Sequence, residues 1–273
     1  VTPKRVEHFA QLVYTLVLTD EIMNPMNDEQ KQIEEEAKRW VRRKSNQRQL
    51  IAKFADPSVY PPVDHPVIVF LAGSPGAGKT EFIKGFKQAI TKAVQLAPAV
   101  LDPDAIRELL PGYNGGNSHL FQRPVAIAID DLYRSALKHR QHIILDGTFA
   151  NYDQAHQNIT MALDRSDNIM ICYVFQHPAV AWHFTQLREV VEGRNIRKED
   201  FVAKFVAAKE TVDRIKATFG DKVTLHVILK DYKDTSQNKE VANVFPNASS
   251  IEQCINFDYT IGTIERILEN EDI

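Results

Sequence analysis

Gly73, Gly76, Gly78, Lys79 and Thr80 fall in one short stretch, Gly73-Ser-Pro-Gly-Ala-Gly-Lys-Thr80, with the spacing G-x-x-x-x-G-K-T. Each residue type has a task in gripping a triphosphate. The glycines permit backbone angles and close approach that a side chain would obstruct, so successive N–H groups turn onto phosphate oxygens. Lys79 has the length to reach the β and γ phosphates, and the Thr80 hydroxyl is suited to ligate Mg2+. On this reading the whole loop (Gly73, Ser74, Pro75, Gly76, Ala77, Gly78, Lys79, Thr80) binds ATP, and ATP and Mg2+ are the cofactors. The competing reading, an ordinary glycine-rich turn, leaves the lysine and the hydroxyl without a reason.

A phosphate loop does not separate kinase, ATPase and signalling switch; the other polar residues must decide. Asp102 and Asp104 follow the apolar run Ala99 to Leu101, and Asp146 follows His142 to Leu145. In a doubly wound sheet such positions lie at the carboxyl ends of strands, where ligands collect. A kinase needs a carboxylate to take or orient the acceptor's hydroxyl proton, and Asp104 is the first candidate. The same Asp102-Pro-Asp104 could equally cap a helix over Ala105 to Leu110. Asp146 has two readings as well, holding Mg2+ water or, with Gly147-Thr148, forming a substrate loop. Arg188, Arg194 and Arg197 flank Gly193 and suit a lid that closes on the γ-phosphate, against the plainer reading of solvent-facing arginines.

These residues need elements to position them. Val67 to Leu71 has the composition of a buried strand. Glu81 to Gln95 carries Phe82, Ile83, Phe86, Ala89, Ile90 and Ala93 at helical spacing, so the loop has strand and helix flanks. Further strands are expected at Ala99 to Leu101, His142 to Leu145, Ile169 to Phe175 and Val223 to Leu229, with helices between. The expected class is α/β: a P-loop kinase-like, doubly wound, mostly parallel sheet of about five strands with flanking helices. Gly112 to Ser118 and Asp231 to Ser250 are loop-like tracts long enough to act as lids or base-binding loops. Ahead of the core, Val6, Phe9, Ala10, Val13 and Val17 recur at helical spacing. A second helical stretch begins near Asp28, with Asp28 as its cap and a solvated charge run from Glu34 to Lys44. The proline-rich 56–66 then divides a small N-terminal helical segment, 1–60, from a kinase domain, 61–273.

The chain has 273 residues, is 44% hydrophobic and carries a net charge of −3. That is enough for one large core, and the charge gives no electrostatic footprint for nucleic acid. Its two cysteines, Cys172 and Cys254, do not suggest a disulfide framework. There is no basic, apolar leader and no apolar run near the ~20 residues a membrane span needs. The expectation is a soluble, cytoplasmic protein acting on a small molecule, with no membrane partner.

Taken together, the loop Gly73 to Thr80, Leu101-Asp-Pro-Asp104 before a helix, Ile144-Leu-Asp-Gly-Thr148 and the segment Arg188 to Arg194 resemble the zeta toxin family. Its members are P-loop kinases that phosphorylate the 3′-hydroxyl of UDP-N-acetylglucosamine. The likeness covers about Val67 to Leu229. The resemblance implies that Asp104 is the base on that hydroxyl, that Asp130, Asp146 and Thr148 contact the UDP-sugar, that Lys79 holds phosphates, and that Arg188 and Arg194 clamp the transferring group. The family commonly has glutamate where this chain has Asp130 and Asp146. Its arginine pair is also more widely spaced, which brings Arg197 into contention. The resemblance further implies toxicity through loss of a cell-wall precursor and neutralisation by a helical antitoxin. The N-terminal helices would then be either an inhibitor carried in cis or stabilising packing. Rival functions are a P-loop kinase for another acceptor, such as a polynucleotide 5′-hydroxyl or a different metabolite, and a nucleotide-dependent binding switch.

Overall fold

The computed structural model describes residues 26–193, 196–231 and 241–270. The helical pattern expected from Val6 to Val17 lies outside the described residues. The chain begins with helix α1 (Asp28–Arg42), turns at Arg43, and continues as α2 (Lys44–Phe54). It then alternates as β1 (Val67–Ala72), α3 (Lys79–Val94), β2 (Ala99–Leu101), α4 (Pro103–Arg107), α5 (Gln122–Lys138), β3 (Ile143–Leu145), α6 (Tyr152–Leu163), β4 (Asn168–Phe175), α7 (Pro178–Glu192), α8 (Lys198–Phe219), β5 (Thr224–Asp231), β6 (Val241–Phe245) and α9 (Ile261–Asn270).

The six strands form one sheet in the order β2-β3-β1-β4-β5-β6, parallel except for β6. The five parallel strands are the ones expected from sequence. The sixth falls within the tract expected to be a loop: Val241, Val244 and Phe245 pair antiparallel to β5, with Val227 opposite Phe245. A run of only five residues at an edge, with Val244 half exposed, leaves too short an alternation to register as a strand.

Alternation along β1 divides the core. Val69 and Leu71, with Ile144, Cys172, Val174 and Ile228 of the neighbouring strands, face Ile83 and Ile90 of α3. Ile68, Phe70 and Ala72 face the opposite way, into a larger core that includes residues of α5, α6 and α8. Both faces are covered, as a parallel sheet requires.

The N-terminal helices belong to that larger core. Ala37 and Val41 of α1 and Leu50 and Phe54 of α2 are buried in it, and both helices pack on α5. Asn27, not Asp28, caps α1: its side chain accepts from Gln30 N at 2.8 Å, while the Gln30 side chain accepts from Asn27 N. The charge run is not wholly solvated either. Glu34 is buried, with Lys38 Nζ at 2.6 Å and Arg123 of α5 at 3.8 Å, because α1 turns this side of the run toward α5. The proline-rich connector is tied down by Gln141, whose buried amide donates to the carbonyls of Ala55 and Tyr60 at 3.0 and 2.8 Å.

Candidate active site

β1 ends in the middle of the sheet, with β3 on one side and β4 on the other, and the glycine loop leaves from its carboxyl end. The loop is held by backbone contacts that only glycine allows. Gly73 has φ of +133°, and a Cβ there would lie 2.3 Å from the Val174 carbonyl oxygen of β4. Gly76, at φ +70°, would bring a Cβ to 2.0 Å from the Ala181 carbonyl oxygen of α7. Gly78, at φ +80°, is the N-cap of α3. The N–H groups that follow start a helix and lack intrahelical acceptors, so they are available to an anion, and the helix dipole adds partial positive charge. Lys79 is folded over the loop, donating to the carbonyls of Gly73 and Ser74 at 3.0 and 2.7 Å. Thr80 follows in the first turn of α3. Thr148 is tied to the same loop: its carbonyl accepts from Gly73 N at 3.1 Å.

Strand register assembles the carboxylates. Leu101 of β2 and Leu145 of β3 are paired, so Asp102 and Asp146 leave the sheet at the same level, and Asp146 N donates to the Leu101 carbonyl at 3.0 Å. Asp102 is the cap of α4, accepting from Asp104 N at 2.8 Å. Capping therefore uses Asp102 and leaves the Asp104 side chain for another task. Asp104 Oδ1 accepts from Nη1 of Arg107, a guanidinium that is itself buried.

Burial pushes the Asp146 carboxyl up to about 6; Lys79 acts against that shift, and the negative charges of Asp102 and Asp104 add to it. Its Oδ1 is buried with no hydrogen-bond partner. An orphaned carboxylate oxygen beside a phosphate lysine fits a divalent cation that shares its coordination with phosphates. Among the described residues no three acidic, histidine or cysteine side chains are gathered to hold a metal ion.

Of the expected substrate contacts, Asp146 and Thr148 lie at this site. Asp130 sits within α5, where Arg134 one turn on donates to its carboxylate at 2.8 Å. Arg188 lies on α7 at helical spacing from Ala181 and Thr185, both of which approach Gly76, so it shares the side of the helix turned to the phosphate loop. Arg194 lies outside the described residues. Arg197 is paired with Asp200, its Nε 3.1 Å from Oδ2. The C-terminal end of α7 at Gly193 approaches Gly115 and Gly116 of the tract Gly112 to Ser118.

Three residues here escaped the sequence. Arg107 looks like any arginine of a short helix until it is found buried on Asp104. Phe149, directly after Thr148, holds φ of +59°, an unusual angle for a bulky side chain, and its ring packs on Phe70. Lys230 is buried at the end of β5, against Gly78. Only the i,i+3 spacing of Asp104 and Arg107 gave a signal, and a weak one.

Among solved structures, one from the PezAT chromosomal toxin–antitoxin system of Streptococcus pneumoniae superposes with a TM-score of 0.56 at 14% identity, covering 89% of this chain and 95% of that one. A structure of AvrRxo1-ORF1:-ORF2 with ATP gives a TM-score of 0.52 at 13% identity, covering 93% of this chain and 77% of the other. At such identities the likeness speaks for the fold. No curated protein sequence matches the chain. A family model does, that of Zeta toxin over residues 51–249, which span more than half of the chain from the end of α2 to beyond β6 and include the whole site just described; the protein belongs to the Zeta toxin family.

Proposed function

We propose that this Zeta toxin family member is an ATP-dependent kinase that transfers the γ-phosphate to the 3′-hydroxyl of UDP-N-acetylglucosamine, and that it acts as a toxin. The observation that carries the phosphotransfer reading is that the glycine loop and Asp104, held by Arg107, both leave the carboxyl end of the sheet, from β1 and β2 on either side of β3. A switch that only binds nucleotide has no use for a fixed carboxylate on the acceptor side. ATP as donor is further supported by the structurally similar AvrRxo1 complex, which contains it.

In this reading the loop N–H groups and Lys79 hold the β and γ phosphates. Asp104 accepts the proton of the acceptor hydroxyl as its oxygen bonds to the γ-phosphorus, and the bond from that phosphorus to the β–γ bridging oxygen breaks to leave ADP. The Arg107 guanidinium keeps Asp104 in place. Arg188, with Arg194 or Arg197, brings positive charge to the transferring group. Asp146 and Thr148 line the acceptor side, and Asp130 is assigned to the same substrate on the family pattern alone. Thr80, together with Asp146, would hold Mg2+, which when bound neutralises phosphate charge.

The division at the proline-rich connector is proposed as a functional one, between an N-terminal segment, 1–60, and a kinase domain, 61–273, since α1 and α2 share the core. Inhibition in cis, in place of a separate antitoxin, is assigned to the residues ahead of Met26, because α1 and α2 pack on α5. No helix among the described residues is long and apolar enough to cross a membrane, and Cys172 and Cys254 are unpaired; a cytoplasmic setting is part of the proposal.

Incubation with ATP, Mg2+ and UDP-N-acetylglucosamine, followed by mass spectrometry, should show a phosphorylated sugar nucleotide. Asp104→Asn should lower the rate by roughly 10²- to 10⁴-fold while ATP affinity stays unchanged. Transfer that survives in this variant would remove Asp104 from the reaction. Absence of product with this acceptor, but transfer to an oligonucleotide end or another metabolite, would replace the substrate and keep the chemistry.

A further inference from the structure

Lys230 comes to the glycine loop from the side opposite the carboxylates, with Gln176 beside it at the end of the neighbouring strand. The sheet order places β2 and β3, with Asp102, Asp104 and Asp146, on one flank of β1, and β4 and β5 on the other. Phe175 of β4 pairs with Leu229 of β5, so the next residues, Gln176 and Lys230, stand side by side. They continue the alternation of Cys172, Val174 and Ile228, the side chains that face α3. Both are buried at the carboxyl end of the sheet, Gln176 with 2% and Lys230 with 4% of its surface exposed.

The Lys230 side chain runs along Gly78. A Cβ on that glycine would lie 2.6 Å from Nζ, 3.0 Å from Cδ and 3.2 Å from Cε. Gly78 caps α3, so the ammonium is seated at the positive end of a helix dipole, next to the loop over which Lys79 is folded. Beside them the Gln176 Nε2 amide is a buried donor with no acceptor. Lys230, Lys79 and the dipole end of α3 give this end of the sheet a positive potential suited to a multiply charged anion.

We infer that Lys230 is a second cation of the donor site, which strengthens the loop's hold on the phosphates of a nucleotide through its charge, on the flank away from the acceptor. This rests on the reading of the glycine loop as the nucleotide site. Since the γ-phosphate must face Asp104 on the β2 side, the α-phosphate end lies toward β5, where Lys230 stands. Its contribution is then shared by ATP and ADP and vanishes for adenosine, whereas a role in folding alone would be blind to ligand charge.

The test uses the full chain and the variants Lys230→Met and Lys230→Gln, with calorimetric titration of ATP, ADP, AMP and adenosine at low and high salt, and thermal melting of the unliganded proteins. Affinity for ATP and ADP should fall about tenfold or more at low salt and less at high salt. Binding of AMP, which keeps the α-phosphate, should be weakened as well and that of adenosine not at all, with the unliganded variants still melting cooperatively. Equal affinities in wild type and both variants would overturn the inference, as would a uniform loss that includes adenosine or follows from a lowered melting temperature. Wild type that binds no nucleotide would overturn the reading of the loop itself.

Discussion

The residue with the clearest conflict between stability and function is Asp146. Its carboxyl is pushed up to about 6 by burial and by its acidic neighbours, from an ordinary value of 3.8. A carboxyl whose folded value is raised contributes stability while protonated in the folded state; that contribution is complete below the unfolded value and is lost as pH rises through about 6. At neutral pH the ionised form is therefore a burden on the unliganded protein, of the order of 1–3 kcal/mol for a shift of this size. Asp146→Asn should raise the melting temperature at pH 7.5, the gain should shrink as pH is lowered below 6, and phosphotransfer should collapse. A variant that melts lower than wild type at pH 7.5 would mean the carboxylate is satisfied in a way its orphaned oxygen does not suggest. Sequence could place Asp146 at the end of a strand but not give it this character, because the shift arises first from burial and then from Asp102 and Asp104, brought beside it by parallel register across two strands.

At the scale of elements, the contact that organises the site is the seating of α7 on the glycine loop. Gly76 lets the Ala181 carbonyl approach so closely that any Cβ must displace one or the other, and its positive φ adds backbone strain for an L side chain. Gly76→Ala should lower stability by about 2 kcal/mol or more and weaken ATP binding, since the loop must shift to relieve the clash. Gly85 is the matched control. It lies exposed within α3 with nothing near the position of a Cβ, so Gly85→Ala should stabilise by about 0.5–1 kcal/mol through helix propensity and leave ATP affinity alone. Urea melts and ATP titrations of the two variants read both effects; a benign Gly76→Ala would show that α7 does not need this approach. The strand–loop–helix unit was legible because its chemistry is local: apolar run, glycine spacing, helical periodicity. The approach of α7 was not, since it joins segments about a hundred residues apart, and neither Ala181 nor Thr185 carries a signal of its own. Edge strand β6 was missed for the same reason, its identity coming from pairing with β5 more than from its five residues.

For the whole molecule, the question is what the segment before β1 contributes, and the two ends of that segment give different answers. Leu50 and Ile51 of α2 share a core with Ala128 and Leu132 of α5, Gln47 donates to Asp131 at 2.9 Å, and Ala37 and Val41 fill the same core from α1. Periodicity showed that these residues have an apolar side but not what it covers; charge pattern even suggested a solvated face where Glu34 is buried. Burying a large aliphatic or aromatic side chain is worth about 1.5–3 kcal/mol, so removal of Leu50, Phe54 and Val41 alone costs several kcal/mol, comparable with the roughly 5–15 kcal/mol that holds a domain together. It also exposes the apolar side of α5. Deletion of residues 1–55 should therefore give an aggregating or molten product, detected by loss of a cooperative melt and by dye binding, whatever its catalytic residues. Deletion of Val1 to Leu18 leaves α1 and α2 whole and isolates the regulatory idea. If those residues inhibit in cis, the shortened protein should keep a cooperative melt and transfer phosphate faster, or be more toxic in cells, than the full chain. An unchanged rate with a lower melting temperature would assign them to stability instead. A folded product from the 1–55 deletion would show that α1 and α2 are an appendage after all, and would return the proline-rich connector to the role of a true domain boundary.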